Sequence, residues 1–292
     1  MIEHLLVDGN NLAWRCHHAM KFLKTRTGRL SGMEYGTLKV LLSLARKYPK
    51  ARIRVCWDSA ENWRRRVEKT YKPRETPGKE RVELYERMNE FMQELTHLVP
   101  CYWQKGFEAD DLLAYLVHEL KTGVVVFSGD WDMFQLVSGK DVGLLRPQAK
   151  KDDQLFYEQD VIDEQGVAPA VFPWWIALRG DSSDNLPGIG GRIWGKHISA
   201  VIEGARSYDD ILRRVATRFP EKWDLFEDFQ TTAKQNYRLC NLRDPEVKPE
   251  GLEQHYDPNL EAVKAFCLRL EMRFGHTDEL NILQEGTENE PV

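Results

Sequence analysis

The segment His4–Asp8 reads HLLVD, a short apolar run that ends in an aspartate. Two later segments repeat this arrangement: RIRVCWD, which ends at Asp58, and VVVFSGDWD, which ends at Asp132. Continuous runs of this length, rich in β-branched residues, are typical of strands buried in a parallel sheet. VGLLR, residues 142–146, is a fourth candidate strand.

Helical patterns separate these runs over residues 31–48, 79–98 and 108–121. The alternation predicts an α/β fold with a mainly parallel central sheet flanked by helices. Ligands bind such sheets at the carboxyl ends of the strands, which is where the aspartates lie. No convincing strand follows Phe156, so we predict an α/β catalytic domain over 1–155 and a helical region over 156–284. Residues 285–292 are acidic, and we expect a disordered tail there.

The composition is that of an ordinary globular protein, with 42% hydrophobic and 30% charged residues among 292. No apolar run has the length of a membrane span, and the N-terminus lacks a signal-peptide pattern. We therefore expect a cytoplasmic protein. Five scattered cysteines without a CxxC pair predict neither a disulfide framework nor a zinc site.

The formal net charge of −5 disfavours a protein that coats nucleic acid non-specifically. Basic residues are nevertheless concentrated between residues 64 and 81, where the sequence includes RRRVEKTYKPRE. A solvated, salt-bridged helix face is the ordinary explanation of such a run. A basic surface for a nucleic acid is the alternative.

Three acids, Glu108, Asp110 and Asp111, open the helix predicted over 108–121. Taken alone they have a simple explanation, because carboxylates in a first helical turn cap free N–H groups. Three strand ends and this helix start, however, direct acids to one edge of the predicted sheet. Clustered carboxylates repel one another unless cations neutralise them, and Mg²⁺ prefers oxygen ligands. Two such ions can hydrolyse a phosphodiester, so the residues predict a two-metal phosphoryl-transfer hydrolase.

Four segments together resemble the motifs of the 5′-nuclease family: VDGNN (7–11), FEADD (107–111), SGDWD (128–132) and LRGDSSDNLPGIGG (178–191). That family includes flap endonucleases, bacteriophage 5′-nucleases and the 5′→3′ exonuclease domain of bacterial DNA polymerase I. The resemblance covers residues 2–243. It implies a PIN-like 5′-nuclease fold with a C-terminal helix–three-turn–helix region. It also implies an enzyme that cuts branched or nicked DNA in replication or repair.

The resemblance further implies the metal ligands. The first ion would be held by Asp8, Asp58, Glu108 and Asp110, and the second by Asp130, Asp132, Asp181 and Asp184. Asp111 matches an acid that the family often has between the two groups. We expect two Mg²⁺ ions, for which Mn²⁺ can substitute, and K⁺ at the helix–three-turn–helix.

In the family the basic stretch belongs to an arch over the active site, which would span residues 62–100 here. Lys72 matches a lysine that contacts the scissile phosphate, while Arg64 and Arg74 are further candidates for phosphate contact. The helix–three-turn–helix would bind duplex backbone through its backbone N–H groups and two basic side chains. Its candidate DNA-binding residues are Gly188, Gly190, Gly191, Arg192 and Lys196.

Expected partners are DNA with 5′ flaps, nicks or 5′ ends, and also RNA primers, bound by a monomer. Three other functions fit the sequence less well. A non-catalytic branched-DNA binder would not need the full set of acids. A PIN-type ribonuclease usually lacks the GDSSDNLPGIG element. A nucleotide-driven motor is disfavoured because GGRIWGKH (190–197) has His197 in place of the P-loop hydroxyl and no preceding strand.

Overall fold

The computed structural model describes residues 1–72, 78–149, 151–189, 198–205, 207–244 and 246–285. The chain divides into two compact units. Unit 1 comprises Met1–Glu61, Thr76–Gly129 and Pro249–Val292, and unit 2 comprises Asn62–Glu75 and Asp130–Lys248. Each unit collects separated segments, whereas the predicted domains follow the sequence without interruption. The division at 155/156 and the arch over 62–100 stay predictions.

The strands of the described residues are β1 (His4–Asp8), β2 (Arg52–Cys56), β3 (Cys101–Tyr102), β4 (Val124–Phe127), β5 (Val142–Arg146), β6 (Gln154–Phe156) and β7 (Gln254–His255). The four predicted runs correspond to β1, β2, β4 and β5. In unit 1, β1 lies between β4 and β2, and β3 pairs with the other side of β2; all of these pairs are parallel. In unit 2, β5 and β6 form an antiparallel pair. The mainly parallel sheet predicted from the sequence is confirmed.

Strand β7 is the exception to the sequence prediction, which expected no strand after Phe156. Its two residues pair antiparallel with the edge strand β3, so that His255 lies opposite Cys101. The His255 ring also stacks on Trp103, with ring centroids 3.7 Å apart. A two-residue strand carries no apolar run, and tertiary contacts rather than local pattern define it. The prediction was therefore wrong at this segment.

The helices lie close to the predicted spans: Gly32–Lys47 for 31–48, Lys79–Leu95 for 79–98 and Ala109–Leu120 for 108–121. The helices of the described residues include α1 (Gly9–Ala19), α2 (Gly32–Lys47), α3 (Arg64–Val67), α4 (Lys79–Leu95), α5 (Ala109–Leu120), α6 (Glu158–Gln165), α7 (Phe172–Arg179), α8 (Tyr208–Arg218), α9 (Trp223–Cys240), α10 (Leu260–Arg269) and α11 (Asn281–Glu285). Helices α6 to α9 give unit 2 its helical character. None of the helices in the described ranges is long and apolar enough to cross a membrane.

The core of unit 1 explains why the strand runs are so apolar. Leu5, Leu6 and Val7 of β1 are fully buried, because helices cover both faces of a parallel sheet. Burying each side chain of this kind stabilises the fold by about 1.5–3 kcal/mol. The apolar side chains fix the register of the strands, and that register determines where the acid at the end of each strand lies. Of the predicted tail, residues 286–292 lie outside the described residues.

Candidate active site

The acid at the end of β1 is held by its neighbours at the carboxyl edge of the unit 1 sheet. Asp8 is 4% exposed, and its Oδ1 accepts a hydrogen bond from the backbone N–H of Asn11 at 2.9 Å. Its Oδ2 accepts one from the Ser128 hydroxyl, which follows β4, at 2.8 Å. Both strands run parallel, so their ends meet here. The carboxylate of Asp8 is thereby fixed in orientation.

Asp58 follows β2 at the same edge. Its backbone N–H donates to Oδ1 of Asn10 at 2.8 Å, and its Oδ1 accepts from the N–H of Ala109 at 2.8 Å. The second bond ties the start of α5, with Glu108 and Asp110, to the end of β2. The structure therefore brings the acids predicted for the first ion to one edge of unit 1.

Two further observations support this arrangement. Burial raises the pKa of the Cys56 thiol well above its usual value, and the carboxylates of Asp8 and Asp110 raise it further. Both acids therefore act on the same buried atom. Gly9 is required nearby, because a Cβ at this position would lie 2.7 Å from the Trp57 ring. Only glycine allows α1 to begin so close to the end of β2.

Asp111 differs from the other acids of this group. It is 5% exposed, and its Oδ2 accepts a hydrogen bond from the backbone N–H of Glu108 at 3.0 Å. This is the helix-capping role that a carboxylate in a first turn ordinarily has. The structure thus gives Asp111 a structural bond, and its place among the metal ligands stays a prediction.

A second group of acids lies within unit 2. One carboxylate oxygen from each of Asp132, Asp181 and Asp184 lies within 4.8 Å of the others. Asp130 is next to this group, since its Oδ1 accepts from the N–H of Asp132 at 3.0 Å. Three converging carboxylates are oxygen donors of the kind that hard divalent cations such as Mg²⁺ prefer. The residues present therefore fit a divalent metal ion.

The electrostatics of this group also favour a cation. Removal of water raises the pKa of the Asp132 carboxyl well above its ordinary value. The negative charges of Asp130, Asp184 and Asp181 raise it further, and the Lys72 ammonium opposes them. Like charges held this close disfavour ionisation of all members at once, and a bound cation removes that penalty.

A tight loop, residues 180–188, presents two of these acids. Asp181 and Leu186 exchange two backbone hydrogen bonds, at 3.0 and 2.7 Å, which close the loop. Gly180 has a φ of +77°, and a Cβ on Gly188 would overlap the carbonyl oxygen of Arg179. Glycine is needed at both ends of the loop because the two backbone segments there are in direct contact. Gly188, predicted to bind DNA, has this packing role in the structure.

Tyr71 and Lys72 are attached to the same loop. The Tyr71 hydroxyl, in a side chain that is 3% exposed, donates to Oδ2 of Asp184 at 2.7 Å. The backbone N–H of Lys72 donates to the carbonyl of Asp184 at 3.2 Å, and its Nζ lies 3.5 Å from Oδ1. Lys72 has a φ of +43°, a strained value for a residue with a side chain. Such strain persists only where neighbours impose it, and it is often found at functional sites.

The two arginines proposed beside Lys72 have different outcomes. Arg64 is 2% exposed, and its Nε donates to the carbonyl of Leu239 at 2.6 Å. Its guanidinium also lies over the rings of Trp63 and Tyr71, at 4.8 and 5.9 Å. These contacts bury the guanidinium, and its contact with a phosphate stays a prediction. Arg74 lies outside the described residues, as do Gly190, Gly191, Arg192 and Lys196.

Several polar residues that hold the acids were not predicted to matter. Asn10, Asn11 and Ser128 lie within the quoted motifs VDGNN and SGDWD, so their position beside aspartates was a usable signal. Asn11 Oδ1 also accepts from the N–H of Gly129 at 3.0 Å and so joins the ends of β1 and β4. Tyr71 is adjacent to Lys72 but lies in no acidic motif. Sequence alone gave no reason to select it.

Comparisons with known proteins identify the family to which this chain is similar. Residues 3–166 match the family model described as 5′–3′ exonuclease, N-terminal resolvase-like domain. A 5′–3′ exonuclease of Aquifex aeolicus is 29% identical over 284 residues, which cover 92% of each chain. DNA polymerase I of Mycobacterium leprae is 35% identical over 195 residues, or 64% of this chain. That alignment covers 21% of the polymerase, so the chain spans about a fifth of that relative.

A solved structure extends the similarity over nearly the whole chain. It is a bacteriophage T5 flap endonuclease in a pseudo-enzyme–product complex with DNA and metal ions. The two chains superpose with a TM-score of 0.65 and 20% identity, covering 96% of this chain and 98% of the other. At that identity the similarity shows a shared fold.

Proposed function

This chain belongs to the 5′–3′ exonuclease family, and from that membership we propose that it is a structure-specific 5′-nuclease. It would hydrolyse phosphodiester bonds at 5′ flaps, nicks and 5′ ends of DNA, in replication or repair, and act on RNA primers as well. The observation that carries the proposal is the convergence of Asp132, Asp181 and Asp184 beside Lys72. The three carboxylates would hold a metal ion, and the Lys72 ammonium would bind the phosphate of the substrate.

The proposed cofactor is a pair of Mg²⁺ ions, with Mn²⁺ as a substitute. When bound, such ions activate water and stabilise the leaving oxygen of a phosphodiester. The proposed ligands of the first ion are Asp8, Asp58, Glu108 and Asp110, with Asp111 beside them. Those of the second are Asp130, Asp132, Asp181 and Asp184. K⁺ at the helix–three-turn–helix and a monomeric enzyme complete the proposal.

The chain's own residues would orient these groups and steady the phosphate. Asn11 and Ser128 each bind one oxygen of Asp8, so that its carboxylate keeps one orientation. Tyr71 does the same for Asp184. The Lys72 ammonium, a third exposed, can reach both Asp184 and a phosphate oxygen beside it. Its attraction would grow as negative charge develops on that phosphate.

The proposal is tested with a 5′-labelled flap substrate and product mapping. We expect cleavage near the flap junction with Mg²⁺ or Mn²⁺, and none in excess chelator. Ca²⁺ should support DNA binding with little cleavage, because its looser coordination orients the attacking water poorly. Asp181→Asn should lose activity, and Asp141→Asn, an exposed aspartate of the same unit, should not. Full cleavage in chelator, or DNA binding without cleavage under every condition, would contradict the proposal; the second result is that of a non-catalytic DNA binder.

A further inference from the structure

The C-terminal end of α9 and the residues that follow it, residues 236–243, form hydrogen bonds with three separate segments of unit 2. We call these residues the α9 end. None of them lies in a motif quoted above, and none carries an acid of the candidate metal centre. Each of the three segments, however, carries a residue of that centre.

The first segment is the loop over residues 180–188. The Asn236 side chain is 2% exposed, and its amide nitrogen donates to the carbonyl of Ala177 at 2.9 Å and to that of Pro187 at 2.8 Å. Ala177 lies just before the loop that presents Asp181 and Asp184, and Pro187 lies near the other end of that loop. An amide has two N–H groups, and both are used here. Asn236 therefore ties the two ends of the loop to one point on α9.

The second segment is the 3-10 turn over Asp132–Leu136, which begins with Asp132 itself. Gln135 is fully buried; its Nε2 donates to the carbonyl of Cys240 at 3.1 Å, and its Oε1 accepts from the N–H of Leu242 at 2.8 Å. The Arg243 guanidinium donates to the carbonyl of Gln135, and to that of Val137 at 3.0 Å. The turn that carries Asp132 is therefore also attached to the α9 end.

The third segment carries Tyr71 and Lys72. Its Arg64 donates from Nε to the carbonyl of Leu239, at 2.6 Å. Hydrogen bonds in a buried setting are costly to leave unmade, so each attachment resists displacement. The three segments are thus all attached to the α9 end, although they are far apart in sequence.

We propose that the α9 end positions the metal centre of unit 2, and that Asn236 is the positioning residue for Asp181 and Asp184. The inference rests on the proposed function, since it assumes that the three carboxylates bind a divalent ion. Without an ion these carboxylates repel one another, and the attachments hold them at a separation that suits one. Removing a group that orients metal ligands typically lowers metal affinity by about 10–100-fold.

The test measures ion binding apart from catalysis. Asn236→Leu keeps a similar volume and removes both donors, while Asn236→Gln keeps the amide on a longer stem. Mn²⁺ affinity is measured on the full chain, without DNA, from the electron paramagnetic resonance signal of free Mn²⁺. We expect about 10–100-fold weaker binding at the affected site in Asn236→Leu, and partial recovery in Asn236→Gln. Cleavage should then require more Mg²⁺, and raising Mg²⁺ should restore much of the rate.

Two comparison variants separate positioning from general destabilisation. Ile211→Ala removes a fully buried side chain from α8 of the same unit, and should lower Tm without changing Mn²⁺ affinity. Asp181→Asn removes a candidate ligand and identifies which Mn²⁺ equilibrium belongs to this centre. Should Asn236→Leu not fold, Asn236→Ser, which keeps one donor, is measured instead, with an intermediate loss expected.

The outcomes are distinct. Mn²⁺ affinity and Mg²⁺ requirement equal to wild type in the Asn236 variants would overturn the inference while leaving the nuclease intact. An equal loss in Ile211→Ala would also overturn it, because the effect would then follow stability alone. A wild-type chain that neither binds Mn²⁺ nor cuts DNA would overturn both this inference and the proposed function.

Discussion

At the scale of single residues, the raised pKa of Asp132 links stability to metal binding. An unfolded aspartate has a pKa of about 3.9, and the folded value lies well above the ordinary one because of burial and neighbouring acids. Between those two values the folded, metal-free chain binds more protons than the unfolded chain does. Its stability therefore falls as pH rises through that window, and the loss is complete above the folded pKa.

Asp132→Asn should remove this penalty. We expect the metal-free variant to melt above wild type at pH 8, by about 2–4 °C per kcal/mol of repulsion relieved, and the difference to shrink towards pH 4. Mg²⁺ should raise the Tm of wild type more than that of the variant. Nuclease activity should fall about 100-fold or more, because a weaker hold on the metal ion would reduce the charge stabilisation that the ion supplies. Thermal melts with and without chelator measure the first effect, and a variant less stable than wild type at pH 8 would contradict it.

Lys72→Ala separates catalysis from binding. The Lys72 ammonium lies 3.5 Å from Asp184, beside the candidate metal centre, where charge on a phosphate would develop. We expect kcat to fall by about 100-fold while DNA affinity, measured in Ca²⁺, changes only severalfold. The control is Lys69→Ala, which removes an exposed lysine from the same segment. Weaker DNA affinity with an unchanged kcat in Lys72→Ala would assign Lys72 to binding alone.

At the scale of elements, prediction succeeded where the signal is local. Apolar runs gave β1, β2, β4 and β5. The two-residue β7 and the α9 end escaped prediction, because distant contacts define them. A buried asparagine such as Asn236 looks like any polar residue of a helix until the carbonyls that it binds are known. A basic run likewise gives no indication that one of its members, Arg64, is buried.

The loop over residues 180–188 offers a prediction at this scale. Gly188→Ala places a Cβ against the carbonyl of Arg179, so the loop must shift. We expect a loss of about 1–3 kcal/mol in the free energy of unfolding, together with weaker Mn²⁺ binding. In Gly78→Ala the Cβ enters open space at the start of α4, and the cost should be at most about 1 kcal/mol. Equal denaturation midpoints for the two variants would show that the loop tolerates the side chain.

At the scale of the whole molecule, charge limits how DNA can be held. The net charge is −5, so affinity for a polyanion must come from local groups of basic residues and from bound cations. The structure attaches the candidate metal ligands to well-packed elements in both units. The segment with Arg192 and Lys196, proposed to bind duplex backbone, lies outside the described residues, and its role rests on the resemblance.

That role can be measured through salt dependence. Each phosphate contact releases condensed counterions, so log affinity falls with log salt by about 0.9 per contact on duplex DNA. Arg192→Ala and Lys196→Ala should each reduce the magnitude of this slope by about 0.9, and weaken binding of all sequences alike. Lys50→Ala, an exposed lysine in unit 1, is the control and should leave the slope unchanged. Titrations in Ca²⁺ from low to moderate salt give the slopes without cleavage. A slope that stays at the wild-type value in both variants would place these side chains away from the DNA, while the predictions for the acids and for Lys72 would stand.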